Sequence, residues 1–294
     1  MLQSSGYYHI TGYLHPYRLV DPHDPTGHRR LDAFRPGTDL VDVGILMDFD
    51  RRLRTVLLDG TQLVEVAIRA RIAHELRRRS PFAHTDQSFL SPVECVRWRT
   101  RQGVRQSAFH AWMTEYGRLQ QRSREEPFVR HNLECYGEPL PIWIACEFLD
   151  FGAVSHLYQL MPDRDRIRIA QAAGVPSERT LRSWLASLNY VRNVCAHNKR
   201  LWNRILTVKP RTRPCDLPVL LTSLGQQSDD RVYGVTAITA YLTSRLCPDS
   251  EWFKRARMVL GSFPQIPLRS ISEMGVPANW VEEPLWNELG HDEL

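Results

Sequence analysis

Apolar residues recur every three or four positions over most of the chain, which is the period of a helix with one buried face. Segments with this pattern run from a cap at Thr38 or Asp39 to Gly60, on to about residue 79, from Ser91 to about residue 124 in one or two pieces, over 142–160, from Pro176 onwards, over about 231–246 and near 249–261. Gly60 is expected to interrupt the first run, because glycine weakens a helix interior. Alternating strand patterns are rare. The sequence therefore predicts an all-α fold.

The segments between these helices predict irregular structure. Residues 1–20 are aromatic and lack helical periodicity, and residues 21–38 are rich in turn-forming residues, so we predict a loop there. Prolines mark residues 207–218 as a connection, and they recur in the tail after Phe263. Long proline-rich loops are thus expected late in the chain.

The helix predicted after Pro176 carries the polar residues with the most chemistry. Its apolar stripe consists of Leu181, Trp184, Leu185, Leu188, Val191 and Cys195. At about 100° per residue, Arg192 lies ~40° from Leu188, at the edge of the stripe. Asn193 and His197 form an i,i+4 pair, and His197 lies roughly opposite Leu188. On a straight helix, the side chains of Arg192, Asn193 and His197 cannot meet at one point. Either the helix bends or a second copy of the protein completes the site.

The segment RNVCAH at 192–197 resembles the Arg-x4-His signature of HEPN ribonucleases. The longer segment LNYVRNVCAHNKRLWNR at 188–204 resembles the C-terminal signature of the Abi-like abortive-infection family, of the AbiD and AbiF type. Further segments resemble the same family in its order, namely YYHITGY at 7–13, DFDRRLR at 48–54, EVAIR at 65–69, PIWIACEFLDFG at 141–152 and MGVP at 274–277.

This resemblance implies an all-α, HEPN-like helical bundle with additional helices. We expect a single Abi-like domain over 1–294, with a HEPN-type core at about 139–262 and an N-terminal helical part at about 38–125. Family chains usually carry a further segment ahead of the tyrosine block, so whether the natural chain begins earlier stays open. The implied activity is metal-independent RNA cleavage by a homodimer with a composite active site, in a phage-defence toxin. The implied products are a 2′,3′-cyclic phosphate and a 5′-hydroxyl, and an RNA or small-protein antitoxin is an expected partner.

The residue types suit that chemistry. Histidine titrates near neutral pH, so His197 can act as general acid or base when the 2′-hydroxyl of RNA attacks the adjacent phosphate. Arg192 can stabilise the charge on the phosphoryl oxygens without a metal. Asn193 can orient the imidazole or hydrogen-bond the ribose or phosphate. If these roles fail, Arg192 is a buried structural arginine and His197 a solvated histidine.

Other charged and polar residues can be interpreted as structural or as part of the site. Lys199, Arg200 and Arg204 can hold flanking phosphates, or they are ordinary cations at a helix C-terminus. Glu65 and Arg69 form an i,i+4 pair that is either structural or has one member lining the groove beside Arg192, with Arg69 then expected to bind RNA and Glu65 to support the site. Glu147 and Asp150 are acids in an apolar segment, and either can pair with Arg192. Asn198, next to the histidine, is expected to support the site.

Composition and charge agree with an RNA partner without requiring one. The chain of 294 residues has a net charge of +5, and arginine supplies all but three of its 38 basic residues. Base composition of the gene explains such a bias as readily as function, although guanidinium groups suit phosphate contacts. Arginines cluster between residues 97 and 124, which is either a solvated face or a surface that tracks an RNA backbone.

Several classes of function have no support in the sequence. No Walker loop, G-x-S-x-G, H-E-x-x-H or G-x-G-x-x-G occurs, and the six cysteines form no C-x-x-C pair, so neither a cofactor nor a catalytic metal is expected. No signal peptide or membrane-spanning stretch is visible, which indicates a cytoplasmic protein. The alternative to the ribonuclease is a non-catalytic HEPN-like RNA-binding or protein-interaction module. A DNA-binding regulator is the weakest interpretation, because no recognition-helix motif is found.

Overall fold

The computed structural model describes residues 6–26, 29–101, 103–226 and 230–288, and the fold is all-α as predicted. Its helices are α1 (Tyr7–Leu14), α2 (Leu40–Arg77), α3 (Pro92–Cys95), α4 (Ala108–Arg122), α5 (Pro127–Tyr136), α6 (Ile142–Phe148), α7 (Phe151–Leu160), α8 (Asp163–Ala172), α9 (Glu178–Ala196), α10 (Val232–Leu246), α11 (Trp252–Gly261) and α12 (Pro284–Glu288). Its strands are β1 (Arg18–Val20), β2 (Arg30–Phe34), β3 (Trp98–Arg101) and β4 (Val104–Ser107). Short 3-10 helices lie in the connections.

Helix α2 is the central element, and α6 to α11 all contact it. Asp39 caps its start by accepting a hydrogen bond from the Val41 N–H at 2.8 Å. The predicted interruption at Gly60 is wrong, because the helix runs through this residue for 38 residues in all. A Cβ atom at Gly60 would lie 2.3 Å from Cε2 of Trp252. The glycine therefore allows the close approach of α11 rather than ending a helix.

Two antiparallel hairpins replace segments that were predicted otherwise. Residues 7–14 are helical, and β1 pairs with β2 where a loop was predicted. Most side chains of these two strands are exposed, so no alternation of apolar and polar residues marks them in the sequence. The helix predicted from Ser91 to about residue 124 is broken into α3, the β3–β4 hairpin and α4. Ser107 starts α4 by accepting a hydrogen bond from the His110 N–H at 3.2 Å.

The predicted helix over 142–160 is also two helices. Leu149 has an extended backbone, with φ −71° and ψ 131°, which ends α6. Asp150 then caps α7, because its Oδ1 accepts a hydrogen bond from the Ala153 N–H at 2.8 Å. An acid within an apolar segment thus serves as a helix cap at this position.

The helix predicted after Pro176 is confirmed as α9. Ser177 caps it, with Oγ accepting a hydrogen bond from the Thr180 N–H at 3.1 Å. All six residues of its predicted apolar stripe are buried, against α2, α7, α8 and α10. The last two predicted helices are confirmed as α10 and α11. Within the described part of the chain, no helix is both long enough and apolar enough to cross a membrane.

Candidate functional site at the end of helix α9

Helix α9 ends one residue before the predicted catalytic histidine. Asn198 has φ 51°, the left-handed conformation that commonly follows the last residue of a helix. Its N–H donates to the Cys195 carbonyl at 3.0 Å, and the Lys199 N–H donates to the Val194 carbonyl at 3.0 Å. These two hydrogen bonds are those of a Schellman motif. Asn198 therefore ends α9 through its backbone, since asparagine tolerates this conformation better than most residues.

A cleft of about 330 Å³ lies beside the last turns of α9. Its walls come from α4, α7 with its cap, and α9, and the residues that line it are Glu115, Asp150, Phe151, Gly152, Ala153, His156, Asn189, Arg192 and Asn193. Arg192 is half-buried, and its Nη1 donates to Oδ1 of Asn193 at 3.3 Å. Its Nε is buried and has no hydrogen-bond acceptor among the described residues. The cleft thus contains a guanidinium with unused donor capacity.

The structure brings Arg192 and Asn193 together and leaves His197 apart from them. His197 is exposed, and it is not among the residues that line the cleft. Helix α9 ends at Ala196, so His197 lies beyond its last residue. In a single chain, the arginine therefore faces a cleft that the histidine does not enter.

Three acids lie near Arg192. Asp150 and Glu115 line the same cleft, and Glu65 from α2 is 6% exposed. Burial raises the pKa of Glu65, against the opposing effects of the Arg69 and Arg192 guanidinium groups, while the Asp150 carboxylate raises it further. Glu147 is exposed on α6 and is not among the residues that line the cleft. Arg192 thus interacts electrostatically with Glu65 and shares its cleft with Asp150 and Glu115.

Arg69 makes its hydrogen bonds to groups within the fold. Its Nη2 donates to Oε1 of Glu65 at 2.6 Å and to the carbonyl of Leu149 at 2.8 Å. Arg69 therefore joins α2 to the break between α6 and α7, immediately before the cap of α7. This contact holds one wall of the cleft in place.

The cations after the histidine differ in their surroundings. Lys199 is exposed. Arg200 donates a hydrogen bond to the carbonyl of Gly12 in α1, and burial, with the nearby Arg204 charge, lowers its pKa. Arg204 Nε donates to the Arg200 carbonyl at 2.8 Å, and its Nη1 lies 3.4 Å from the hydroxyl of Tyr190. Arg200 and Arg204 thus hold the chain after α9, and Lys199 is open to solvent.

Asp50 is a residue that sequence reasoning missed. It is fully buried, and its carboxylate accepts hydrogen bonds from the N–H groups of Leu201 at 3.1 Å and Trp202 at 2.7 Å. Tyr13 and Arg54 also donate to it. The sequence did contain an indication, because Asp50 lies on the same helical face as the apolar residues of α2. A carboxylate on such a face is buried only together with hydrogen-bonding or charged partners.

The three sequence segments at 7–13, 48–54 and 188–204 thus meet around one carboxylate. Tyr13 comes from the first, Asp50 and Arg54 from the second, and the Leu201 and Trp202 amides from the third. Among the described residues, no three His, Cys, Asp or Glu side chains are grouped so that they could hold a metal ion.

The fold and the site define an all-α protein in which one helix ends on an Arg-Asn-x3-His segment beside a polar cleft. The chain matches the profile of the family described as Abi-like protein over residues 1–203. Because that match covers more than half of the 294 residues, the chain belongs to the Abi-like family. The family is associated with abortive-infection phage defence.

The matched region contains the residues that meet at Asp50, whereas the segment at 274–277 lies beyond it. No curated protein and no solved structure matches the chain.

Proposed function

We propose that the protein is a metal-independent endoribonuclease of the HEPN type that acts as a toxin in abortive infection. The observation that supports this best is the end of α9, where Arg192 and Asn193 line a polar cleft and His197 is exposed at the helix terminus. Membership of the Abi-like family supports the phage-defence role.

In the proposed reaction, the 2′-oxygen of a ribose forms a bond to the adjacent phosphorus, and the bond from phosphorus to the 5′-oxygen of the next nucleotide breaks. The 2′-hydroxyl loses its proton to a general base, and a general acid protonates the leaving 5′-oxygen. His197 supplies one or both of these proton transfers. Arg192 stabilises the charge on the phosphoryl oxygens, and its buried Nε is a donor without an acceptor in the described chain.

A homodimer is part of the proposal. Arg192 faces the cleft, while His197 of the same chain is exposed outside it. A second copy that presents its own helix end to this cleft would bring its histidine to the arginine. The composite site would then contain Arg192 from one protomer and His197 from the other.

The RNA contacts near the site are proposed to involve Lys199, because this cation is exposed beside the histidine. Arg69, Arg200 and Arg204 would act indirectly, since each is engaged with carbonyl groups of the chain. An RNA or small-protein antitoxin is proposed from the family resemblance alone. Such a partner would cover the exposed end of α9 and so block the site.

A second function has one observation in its favour. The position of His197 outside the cleft is also what a non-catalytic RNA-binding or protein-interaction module would have. Such a module would depend on Arg192 and Lys199 and would not need an imidazole at position 197.

Expression in growing cells separates the two functions. Wild-type protein is expected to arrest growth, and His197→Ala is expected to be harmless at the same soluble level. His131→Ala is the matched control, because His131 is another exposed histidine and does not line the cleft. If His197→Ala arrests growth as wild type does, the catalytic role of His197 is wrong.

A further inference from the structure

The β3–β4 hairpin presents an exposed tryptophan beneath an arginine. Trp98 is 63% exposed, and Cζ of Arg105 lies 4.8 Å from the centroid of its indole ring. Trp98 pairs with Ser107 in the sheet, so Arg105 is its diagonal neighbour on the same face. This stacking restricts the ring, and at 63% exposure the indole still presents much of its surface to a ligand. An exposed indole of this kind is a platform on which a planar aromatic group can stack.

The sequence that forms this hairpin and its flanks carries charge of one sign. Between Glu94 and Glu115 the sequence contains four arginines and no aspartate or glutamate. Directly before the hairpin, the Arg97 side chain is 55% exposed. A polyanion therefore suits this surface better than a neutral or positively charged partner does.

A cleft of about 440 Å³ continues the basic surface. It lies between the start of α9 and the segment before the hairpin, and its lining includes five arginines against three acids. Arg97 and Arg182 both contact the buried carboxylate of Glu94, at 3.3 Å and 3.4 Å. These contacts hold the two guanidinium groups on the cleft wall, and their remaining donors can contact phosphate oxygens.

Both features are connected to the cleft of Arg192 by rigid helices. Helix α4 follows the hairpin directly, and its residue Glu115 lies in that cleft, about 10 Å along the helix from Ala108. Helix α9 carries Arg182 and Arg192 about 15 Å apart along its axis. A flexible strand bound at the hairpin can therefore reach the cleft.

We propose that Trp98, Arg105, Arg97 and Arg182 form a binding surface for single-stranded RNA, with a base stacked on Trp98 and phosphates on the arginines. Single-stranded binding follows from the platform, because the bases of a duplex are already stacked and cannot meet an indole face. That this surface delivers RNA to the cleft of Arg192 rests on the proposed ribonuclease function. The binding of RNA to this surface does not rest on that function.

The test is fluorescence anisotropy with a labelled 20-nucleotide oligouridine, using His197→Ala protein so that the probe stays intact. Adding Trp98→Ala is expected to weaken binding about 5- to 100-fold, as loss of one base–aromatic stack does. Adding Trp143→Ala is the matched control, because Trp143 is 47% exposed and lies on α6. It is expected to stay within about two-fold of the parent, the size of a surface substitution that removes no contact. Both side chains are exposed, so neither variant should lose the fold.

Arg182→Gln gives an independent readout. Loss of one phosphate contact is expected to lower the slope of log Kd against log salt concentration by about 0.7 for a single strand. A duplex RNA of the same length is expected to bind more weakly than the oligouridine, and oligodeoxyuridine tests whether the sugar matters. The proposal is overturned if Trp98→Ala binds as tightly as Trp143→Ala, if duplex binds better than single strand, or if no nucleic acid binds. The last result would point to an acidic protein partner.

Cleavage distinguishes this proposal from the ribonuclease function. Binding that depends on Trp98, in a protein that cuts no RNA, would leave the surface standing and remove the enzyme. If wild type cleaves RNA and Trp98→Ala cleaves it with the same KM, the enzyme would stand and the binding surface would be removed.

Discussion

The backbone N–H of Trp202 donates a hydrogen bond to the Asp50 carboxylate at 2.7 Å, although the two residues are 152 positions apart. The Leu201 N–H donates to the same buried carboxylate. Through these bonds, the chain that leaves His197 is held against the N-terminal third of α2. The geometry at the end of α9 therefore depends on a residue of α2.

Asp50→Asn keeps the shape of the side chain and removes its charge. The buried Arg54 guanidinium would then lack its anion, and breaking one side of a buried ion pair costs about 3–5 kcal/mol. We expect a loss of that order in the free energy of unfolding, measured by urea denaturation. The matched control is Asp48→Asn, because Asp48 pairs with Arg51 and Arg52 on the exposed side of the same helix. It is expected to cost no more than about 1 kcal/mol. Equal losses in the two variants would contradict the role assigned to Asp50.

Gly60→Ala tests why a glycine lies inside α2. Alanine normally stabilises a helix interior by about 1 kcal/mol relative to glycine. At this position its Cβ would overlap the Trp252 ring, which is held by a hydrogen bond from Nε1 to the Val56 carbonyl at 2.7 Å. We expect a net loss of about 1–3 kcal/mol in the free energy of unfolding.

Gly117→Ala is the control for this substitution. Gly117 lies within α4, and nothing comes within 4 Å of a Cβ built there. Here the same change is expected to stabilise the protein by about 0.5–1 kcal/mol. Stabilisation by both substitutions would show that Trp252 does not restrict position 60.

Asn198 can be tested by two substitutions that differ in backbone freedom. Glycine adopts its positive φ without strain, whereas alanine pays about 1 kcal/mol or more for it. Asn198→Gly is therefore expected to unfold at a higher temperature than Asn198→Ala, as measured by calorimetry. If the composite site needs this helix end, Asn198→Ala also loses more cleavage activity than Asn198→Gly. The reverse order of melting temperatures would argue against a left-handed residue at this position.

The composite site predicts that two inactive variants restore each other. Arg192→Gln and His197→Ala are expected to be inactive alone. When they are unfolded together and refolded, a heterodimer would contain one site with Arg192 from one protomer and His197 from the other. Random pairing then gives about a quarter of wild-type activity. A site formed within one chain would stay inactive in the mixture, and this result would remove the dimer from the mechanism.

The sequence was sufficient to predict α9, because its stripe is one-sided and Ser177 marks its start. It was insufficient wherever a residue's role depends on a distant partner. Gly60 looks like an interruption until Trp252 is known to pack on it. Asp50 looks like any acid of a helix until the amides of Leu201 and Trp202 approach it.

Only part of the candidate site could be predicted, because the rest depends on residues that are distant in the sequence. Helical geometry placed Arg192 and His197 on different sides, and the structure places only Arg192 in the cleft. Which acid lies near the arginine could not be derived, because the break at Leu149 that turns Asp150 into a helix cap carries no proline or glycine. The β3–β4 hairpin was mistaken for helix because its arginines fit either structure.

The central claim is most directly tested by incubating purified protein with total cellular RNA in EDTA, comparing wild type, His197→Ala and His131→Ala. We predict cleavage by wild type and His131→Ala, with 2′,3′-cyclic phosphate and 5′-hydroxyl ends. His197→Ala is expected to be slower by about 100-fold or more, the contribution of a general acid–base group. Absence of cleavage by wild type, or equal cleavage by His197→Ala, would contradict a metal-independent ribonuclease centred on His197.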